Sequence, residues 1–370
     1  MFLMSFSWKN LKYPIILCPP MDGITDNAYR ELTAEMGGSS ALYCEFVNVK
    51  GLVYQNPKTI FELNYTENQR PIIVQLFGSD PDDFYQAAKL AVRMGFDAID
   101  INMGCPAHKV ASKGGGCALM GNTENAKKIV EMTINGANEE AAKLGLGHEI
   151  EVSCKMRLGV NDKTAVFTHG IEIIEAGAKA IAIHGRTLKQ MYAGEADWDP
   201  IKEFVGIKNG KYGKSIKVFG SGDAKNLWEA LLRILTTGVD GVMIGRGSFG
   251  NPWVFERSKV EFMKKTICNI EKCFGKNSGE ITLEEIKNYS GIEEIKNILV
   301  HKDRSFKQIS ETAIHHAELM YSDKGDNGVV QMRKHLAWYF HGFDGAKELR
   351  SKLVLVNSIE EIKQILYSYP

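Results

Sequence analysis

The stretch Ala98-Ile-Asp-Ile-Asn-Met-Gly-Cys-Pro-Ala-His-Lys-Val110 decides the reading of this chain. A short apolar, β-branched run, typical of a buried strand, breaks abruptly at Asn102, Gly104, Cys105 and Pro106. Gly104 permits backbone angles closed to other residues, and Pro106 stiffens the exit. The Cys105 thiol is therefore expected at a strand end, in a fixed direction, beside the Asn102 amide. Ordinary burial would explain such a cysteine equally well if it stood alone. The rest of the chain supplies its context.

The same strand–loop–helix unit recurs from residue 13 to about 255. Short apolar runs fall at 15–18, 42–47, 72–77, 98–102, 151–156, 180–184, 216–220 and 239–244. Amphipathic segments lie between them at 26–36, 81–94, 122–143, 164–176 and 224–237. Asp26 is placed to cap a helix that Gly37-Gly38 ends, and Asp80-Pro81 opens another. Eight buried strands alternating with helices fit a (β/α)8 TIM barrel, with an open doubly wound sheet of six or seven strands as the alternative. After Asn251-Pro-Trp253 the pattern turns to Glu/Lys/Ile/Leu helices. The expected division is a barrel domain over 1–255 and a smaller all-α domain over 256–370, with the Lys/Glu/Asn-rich stretch 264–310 as an inserted pair of helices.

Composition bounds the function. The 370 residues are 44% hydrophobic, with 45 basic and 45 acidic side chains, so no global charge draws the chain to nucleic acid and any such contact needs a local patch. The seven cysteines (18, 44, 105, 117, 154, 268, 273) form no Cys-x-x-Cys pair and no Cys/His cluster, which predicts no metal and reduced thiols. The N-terminus shows no secretory leader and no stretch has membrane-spanning length, so a cytoplasmic protein is expected.

A barrel places its chemistry at the carboxyl ends of the strands. Strand one ends in Cys18-Pro-Pro20-Met21-Asp22-Gly23, a rigid path suited to a flat ring. Gln75 is a polar amide inside an apolar run and needs a partner if buried. Lys155 interrupts another apolar strand, with Arg157 two residues on and facing the same side. His184 adds a polar group to that face. The last two strands end in Ser221-Gly222-Asp223 and Gly245-Arg246-Gly247, glycine-rich loops where barrels commonly hold a phosphate. A terminal phosphate site, a lysine and a histidine near a ring and a glutamine at its edge together describe an FMN site, with Cys105 opposite as a proton source.

These residues resemble the tRNA-dihydrouridine synthase family over about 13–255 and again near 327–365. The matching pieces are Pro19-Pro-Met-Asp-Gly-Ile-Thr-Asp26, Asn102-Met-Gly-Cys-Pro106 with Lys109-Val110, Lys155-Met-Arg157, His184-Gly-Arg-Thr187, Ser221-Gly-Asp223 and Gly245-Arg246. The tail Arg333-Lys-His-Leu-Ala-Trp-Tyr339 is most like the bacterial B-type branch. The resemblance implies an FMN-dependent reductase of specific tRNA uridines with NADPH as electron source. Cys105 would be the proton donor to uracil C5. Asn102, Lys109, Arg157 and Arg186 would contact the target nucleotide. Pro20, Met21, Asp22, Gln75, Lys155, His184, Ser221, Gly222, Asp223, Gly245 and Arg246 would contact FMN. Where the family often carries Ala-Pro-Met and Asn-Gly-Asp, this chain has Pro19-Pro-Met and Ser221-Gly-Asp.

Helical spacing puts Lys334, Trp338 and His341 on one face with Arg333 beside it, and Met332, Leu336 and Phe340 on the buried face. Cations interleaved with an aromatic suit phosphate contact and base stacking, so Arg333, Lys334 and Trp338 are expected at tRNA. A barrel mouth reaches a base only if it is flipped out. A reductase of a free pyrimidine, dihydroorotate-like, and a non-catalytic tRNA-binding protein are the rival readings. No protein partner is implied, and a monomer is expected.

Overall fold

Nine short parallel strands form the centre of the computed structural model, which describes residues 5–300 and 304–369, the side chains of His108 and Lys109 excepted. They are β1 (Ile15–Leu17), β2 (Leu42–Tyr43), β3 (Val47–Asn48), β4 (Ile72–Phe77), β5 (Ala98–Met103), β6 (Val152–Arg157), β7 (Ala180–His184), β8 (Lys217–Ser221) and β9 (Gly241–Met243). From β4 to β9 each strand pairs with the next in sequence, and β9 pairs with β1. A doubly wound sheet would reverse its strand order partway; here the order runs on and returns to its start, as a barrel requires. Between β1 and β2 no ladder forms, and the Ser40 N–H donates to Ile16 O at 2.8 Å.

The expected second strand, 42–47, is two pieces. Both β2 and β3 pair with β4, so together they fill one of eight barrel positions. The backbone bends away over 44–46, where Glu45 turns its carboxylate to the Gly23 N–H.

Strand periodicity separates the two faces of the sheet. Residues facing the surrounding helices are apolar and buried, including Val74, Leu76, Ile99, Ile101, Cys154 and Met156. The inner face divides along the barrel axis. Phe6, Trp8, Tyr43, Ile73, Ala98, Ala180 and Phe219 fill the amino-terminal end, and the Trp8 N–H donates to Glu151 Oε2 at 2.8 Å. Gln75, Asp100, Asn102, Ser153, Lys155, Arg157, His184 and Ser221 occupy the carboxyl half, as the register shows. One end is a dry plug and the other is a polar mouth.

The helices follow their sequence signals closely. Asn27–Met36 is capped by Asp26, whose side chain accepts the Tyr29 N–H, and ends at left-handed Gly37. Pro81–Arg93 starts on the Asp80 cap with proline in its first turn. Thr123–Lys143, Ala165–Glu175 and Leu227–Thr237 match their expected spans within three residues.

Beyond β9 the chain is helical, in two groups. Arg257–Phe274, Leu283–Lys287 and Ile292–Val300 bury Val260, Met263, Ile267, Ile286 and Leu299 in the same apolar cluster as the barrel's outer face. Phe306–Lys324, Asp326–Tyr339, Ala346–Leu353 and Ile359–Tyr367 enclose a separate cluster that includes Met332, Leu336 and Phe340, the face expected to be buried. No helix among the described residues is long and apolar enough to cross a membrane.

Candidate functional site

The polar mouth is built upward from Asp100. This carboxylate, fully buried in β5, accepts Gln75 Nε2 from β4 and Ser153 Oγ from β6, each at 2.6 Å. Burial holds its pKa up at about 6, with both hydrogen bonds and Lys155 opposing the rise. One rung higher, Asn102 Nδ2 donates to Gln75 Oε1 at 2.8 Å. Asn102 Oδ1 accepts the N–H groups of Gly104 at 3.1 Å and Cys105 at 2.9 Å. Asn102 thus closes the turn that presents the thiol, while its amide and that of Gln75 each keep a second N–H donor. Cys105 is partly exposed and forms no disulfide.

Lys155 is the register partner of Asn102 across β5 and β6. Among the described residues its ammonium makes no hydrogen bond or salt bridge; burial, then Arg157, pull its pKa down to about 8, against the longer-range attraction of Asp100 and Cys105. A half-buried cation without a partner fits an anionic or electron-rich ligand. His184, one rung above on β7, is driven far below the usual imidazole range by burial and by Lys155, Arg157, Arg186 and Arg246. It is therefore neutral, and because Arg186 can only donate, His184 Nε2 accepts from Arg186 NH1 at 3.3 Å.

The two expected phosphate loops meet at Asp223. Its carboxylate accepts Arg186 NH2 and the Ala196 N–H, each at 2.7 Å, and Arg246 NH2 at 3.0 Å. The backbone N–H groups of Gly222, Asp223, Gly245 and Arg246 donate to no other group of the described chain. Gly222 has φ of +113°, and a Cβ there would lie 2.7 Å from Ala196 Cβ and 2.9 Å from His184 Cδ2. A Cβ on Gly245 would approach Pro19 and Met21 at 3.3 and 3.4 Å. Pro20, Met21 and Asp22 occupy the facing β1 turn, held by Met21 N–H to Thr25 Oγ1 at 2.9 Å. Bare amides, close glycines, a fixed arginine and an unpartnered lysine on one barrel rim fit the phosphate and ring of FMN.

The guanidinium groups expected at substrate are deeply engaged. Arg157 is 2% exposed and donates to Gly104 O at 2.8 Å, Thr187 O at 3.0 Å and Met191 O at 2.8 Å, tying the cysteine turn to the loop after β7. Arg186, also 2% exposed, donates to Gly194 O at 2.6 Å in addition to Asp223. The Lys109 side chain lies outside the described residues.

The helical group leans on the same mouth. Lys334 Nζ donates to Gly23 O in the β1 turn. Trp338 stacks on Phe249, beyond the last phosphate loop, with ring centroids 4.4 Å apart and 16° between planes. Arg333 donates to Val356 O at 2.9 Å and Asn357 Oδ1 at 2.8 Å, within its own helical group.

Sequence reading passed over three residues here. Asp100 stands two residues before Asn102 in an apolar strand, so the alternation that singled out Asn102 also marks it. Tyr192 is 58% exposed beneath two guanidinium groups, Arg157 at 5.7 Å and Arg246 at 5.6 Å. Glu45 had no signal beyond being an acid next to a buried cysteine.

A parallel barrel whose mouth gathers a thiol, an unpartnered lysine, a neutral histidine and bare backbone amides has the architecture of a flavin-dependent reductase. The dihydrouridine synthase (Dus) family model matches residues 16–368, and the chain belongs to that family. The probable tRNA-dihydrouridine synthase of Mycobacterium tuberculosis is 32% identical over 365 residues, covering 96% of this chain and 82% of that one. Probable tRNA-dihydrouridine synthase 1 of Synechocystis is 31% identical, covering 95% and 85%, and synthase 2 of Bacillus subtilis is 26% identical, covering 97% and 95%. Among solved structures, the old yellow enzyme homologue from Zymomonas mobilis aligns at TM-score 0.44 and 14% identity, covering 65% of this chain and 87% of that chain. The protein is accordingly a flavin-dependent oxidoreductase of the family that reduces uridine in tRNA.

Proposed function

We propose that this enzyme reduces the C5–C6 bond of specific tRNA uridines to 5,6-dihydrouridine, with Cys105 as the acid. The observation that carries the reading is the pairing of Asn102 with Lys155. It sets the cysteine turn and an unpartnered cation on neighbouring strands of one barrel rim. FMN, when bound and after reduction by NADPH, supplies the hydride that reaches uracil C6.

The chain's own groups do the rest. Gly222, Asp223, Gly245 and Arg246 would hold the phosphate of FMN, and Pro20, Met21 and Asp22 would contact its ring. Lys155 places positive charge where negative charge collects, and neutral His184 offers a hydrogen bond without adding further cation. Cys105 Sγ–H gives its proton to uracil C5, so hydride and proton add to adjacent carbons and the product is neutral. Asn102 and Gln75 aim their remaining N–H donors at uracil carbonyl oxygen and at the ring's edge, while Arg157 and Arg186 hold the loops that frame the nucleotide. The barrel, 1–255, is the FMN-binding catalytic unit and the helices of 256–370 orient the tRNA. The enzyme works as a cytoplasmic monomer, without a metal.

The test supplies NADPH with unmodified tRNA, or with free uracil and dihydroorotate. Dihydrouridine is expected in tRNA alone; turnover of only the small molecules would replace this reading with the free-pyrimidine one.

A further inference from the structure

Glu45 lies on the bend between β2 and β3, outside the groups assigned to flavin or uridine. Its Oε1 accepts the N–H of Gly23, and the carbonyl of the same residue accepts Lys334 Nζ from Asp326–Tyr339. The Gly23 residue therefore relays between a barrel carboxylate and a helical-group ammonium. A second contact flanks it: Lys324, at the end of Phe306–Lys324, ion-pairs with Asp26, the cap of Asn27–Met36. Asn27 Nδ2 donates to Asp323 Oδ1 at 3.0 Å alongside. Charges from four elements thus converge on the turn that also carries Pro20, Met21 and Asp22.

We propose that Glu45 is a positioning residue for the tRNA-facing helices: through Gly23 it fixes the turn that receives Lys334, and so sets where Asp326–Tyr339 sits over the barrel mouth. The inference rests on the tRNA reading for its consequence and on geometry alone for its docking. The Gly23 N–H and carbonyl belong to successive peptide planes hinged at the Gly23 Cα, so the Glu45 bond acts by fixing the conformation of the turn and with it the direction of the carbonyl that receives Lys334. Loss of the carboxylate loosens the helix without touching the cysteine turn or the phosphate loops.

The groups facing Glu45 settle the pH dependence. Burial is the largest influence and, with Asp26, raises its pKa from 4.5 to about 7, against the Gly23 N–H, Lys324 and Arg30, which lower it. Lys334 and Asp22 complete the cluster. The rise is set against the free carboxyl and so belongs to folding as a whole, a contribution that is full below about 4.5 and lost as pH rises through about 7, whereas the cations the helical group itself brings, Lys324 and Lys334, favour the charged form.

The experiment compares FMN-loaded wild type with Glu45→Ala and Glu45→Gln. Without tRNA, hydrogen exchange over 326–339 and 21–25 is expected to quicken in Glu45→Ala and to return toward wild type in Glu45→Gln, whose carbonyl still accepts the Gly23 N–H. With tRNA, Glu45→Ala should raise KM about tenfold while kcat and NADPH reduction of the bound flavin stay within about twofold. Unchanged exchange in Glu45→Ala overturns the proposal whatever the substrate proves to be. So does a fall in kcat with KM unmoved. Failure of the wild type to act on tRNA overturns the tRNA reading alone, because the exchange measurement needs no RNA.

Discussion

Asn102 and Lys155 are direct neighbours in the ladder between β5 and β6, so the residue that closes the cysteine turn and the rim's unpartnered cation are fixed to one another by backbone pairing. Movement of either is movement of a strand, not of a loop. The proposed acid and the proposed site of charge stabilisation are thereby tied to adjacent strands, the kind of pre-organisation on which electrostatic catalysis depends.

The ammonium of Lys155 titrates within an accessible range. Burial brings it from 10.5 down to about 8. The charged form is lost as pH rises, so FMN affinity should weaken between about pH 7.5 and 9.5. Release of flavin fluorescence across that range measures this, and Lys155→Met should bind FMN more weakly with a flat profile. A flat profile in the wild type would show that the ammonium does not hold the cofactor.

Cys105→Ala should keep FMN, because the thiol lies in the turn after β5 and the phosphate loops follow β8 and β9. Dihydrouridine formation should slow by roughly 10²–10⁴, the usual weight of a positioned acid. Single-turnover mixing of the reduced enzyme with tRNA separates this step from flavin reduction by NADPH, which should be unaltered. Equal single-turnover rates in wild type and variant would remove Cys105 from the chemistry.

Much of this was legible in the chain, for a physical reason. Residues that break an apolar run, such as Gln75 and Lys155, announce that something polar meets them, and the barrel's alternation tells which face they occupy. Helix ends at Asp26, Asp80 and Gly37 were legible because capping is local chemistry. Partners supplied by distant loops were not. Arg157 and Arg186 read as contacts to the target nucleotide, and the sequence held no sign that their donors close on the carbonyl groups of Gly104, Thr187, Met191 and Gly194. Lys334 and Trp338 read as an exposed RNA face, yet they contact Gly23 and Phe249. The break in the second strand was likewise hidden, because Glu45 finds its acceptor role only once the β1 turn is beside it.

Asp100 supports the mouth from below. Asp100→Ala would leave the Gln75 and Ser153 donors buried without their acceptor, a loss of about 2–4 kcal/mol on the scale of unmatched buried hydrogen-bonding groups. Urea unfolding of the flavin-free protein measures the stability change. Because Gln75 also holds Asn102, flavin affinity and dihydrouridine formation should fall with it, and Asp100→Asn should recover part of both. Full stability in Asp100→Ala would mean that the network reorganises around water.

The stack of Trp338 on Phe249 joins the helical group to the segment that follows the second phosphate loop. A pair at 4.4 Å and 16° adds a specific contact to the area it buries, and its removal from a partly exposed site should be worth about 1–2 kcal/mol. Trp338→Phe keeps a ring against Phe249, whereas Trp338→Ala opens the seam. If the ring acts by docking the helices, tRNA KM should rise in Trp338→Ala and stay near wild type in Trp338→Phe, with hydrogen exchange over 326–339 following the same order. If instead the indole stacks on a base, the phenylalanine variant should lose RNA affinity while exchange in the free enzyme stays unchanged. The two measurements on the two variants separate a docking ring from a reading one.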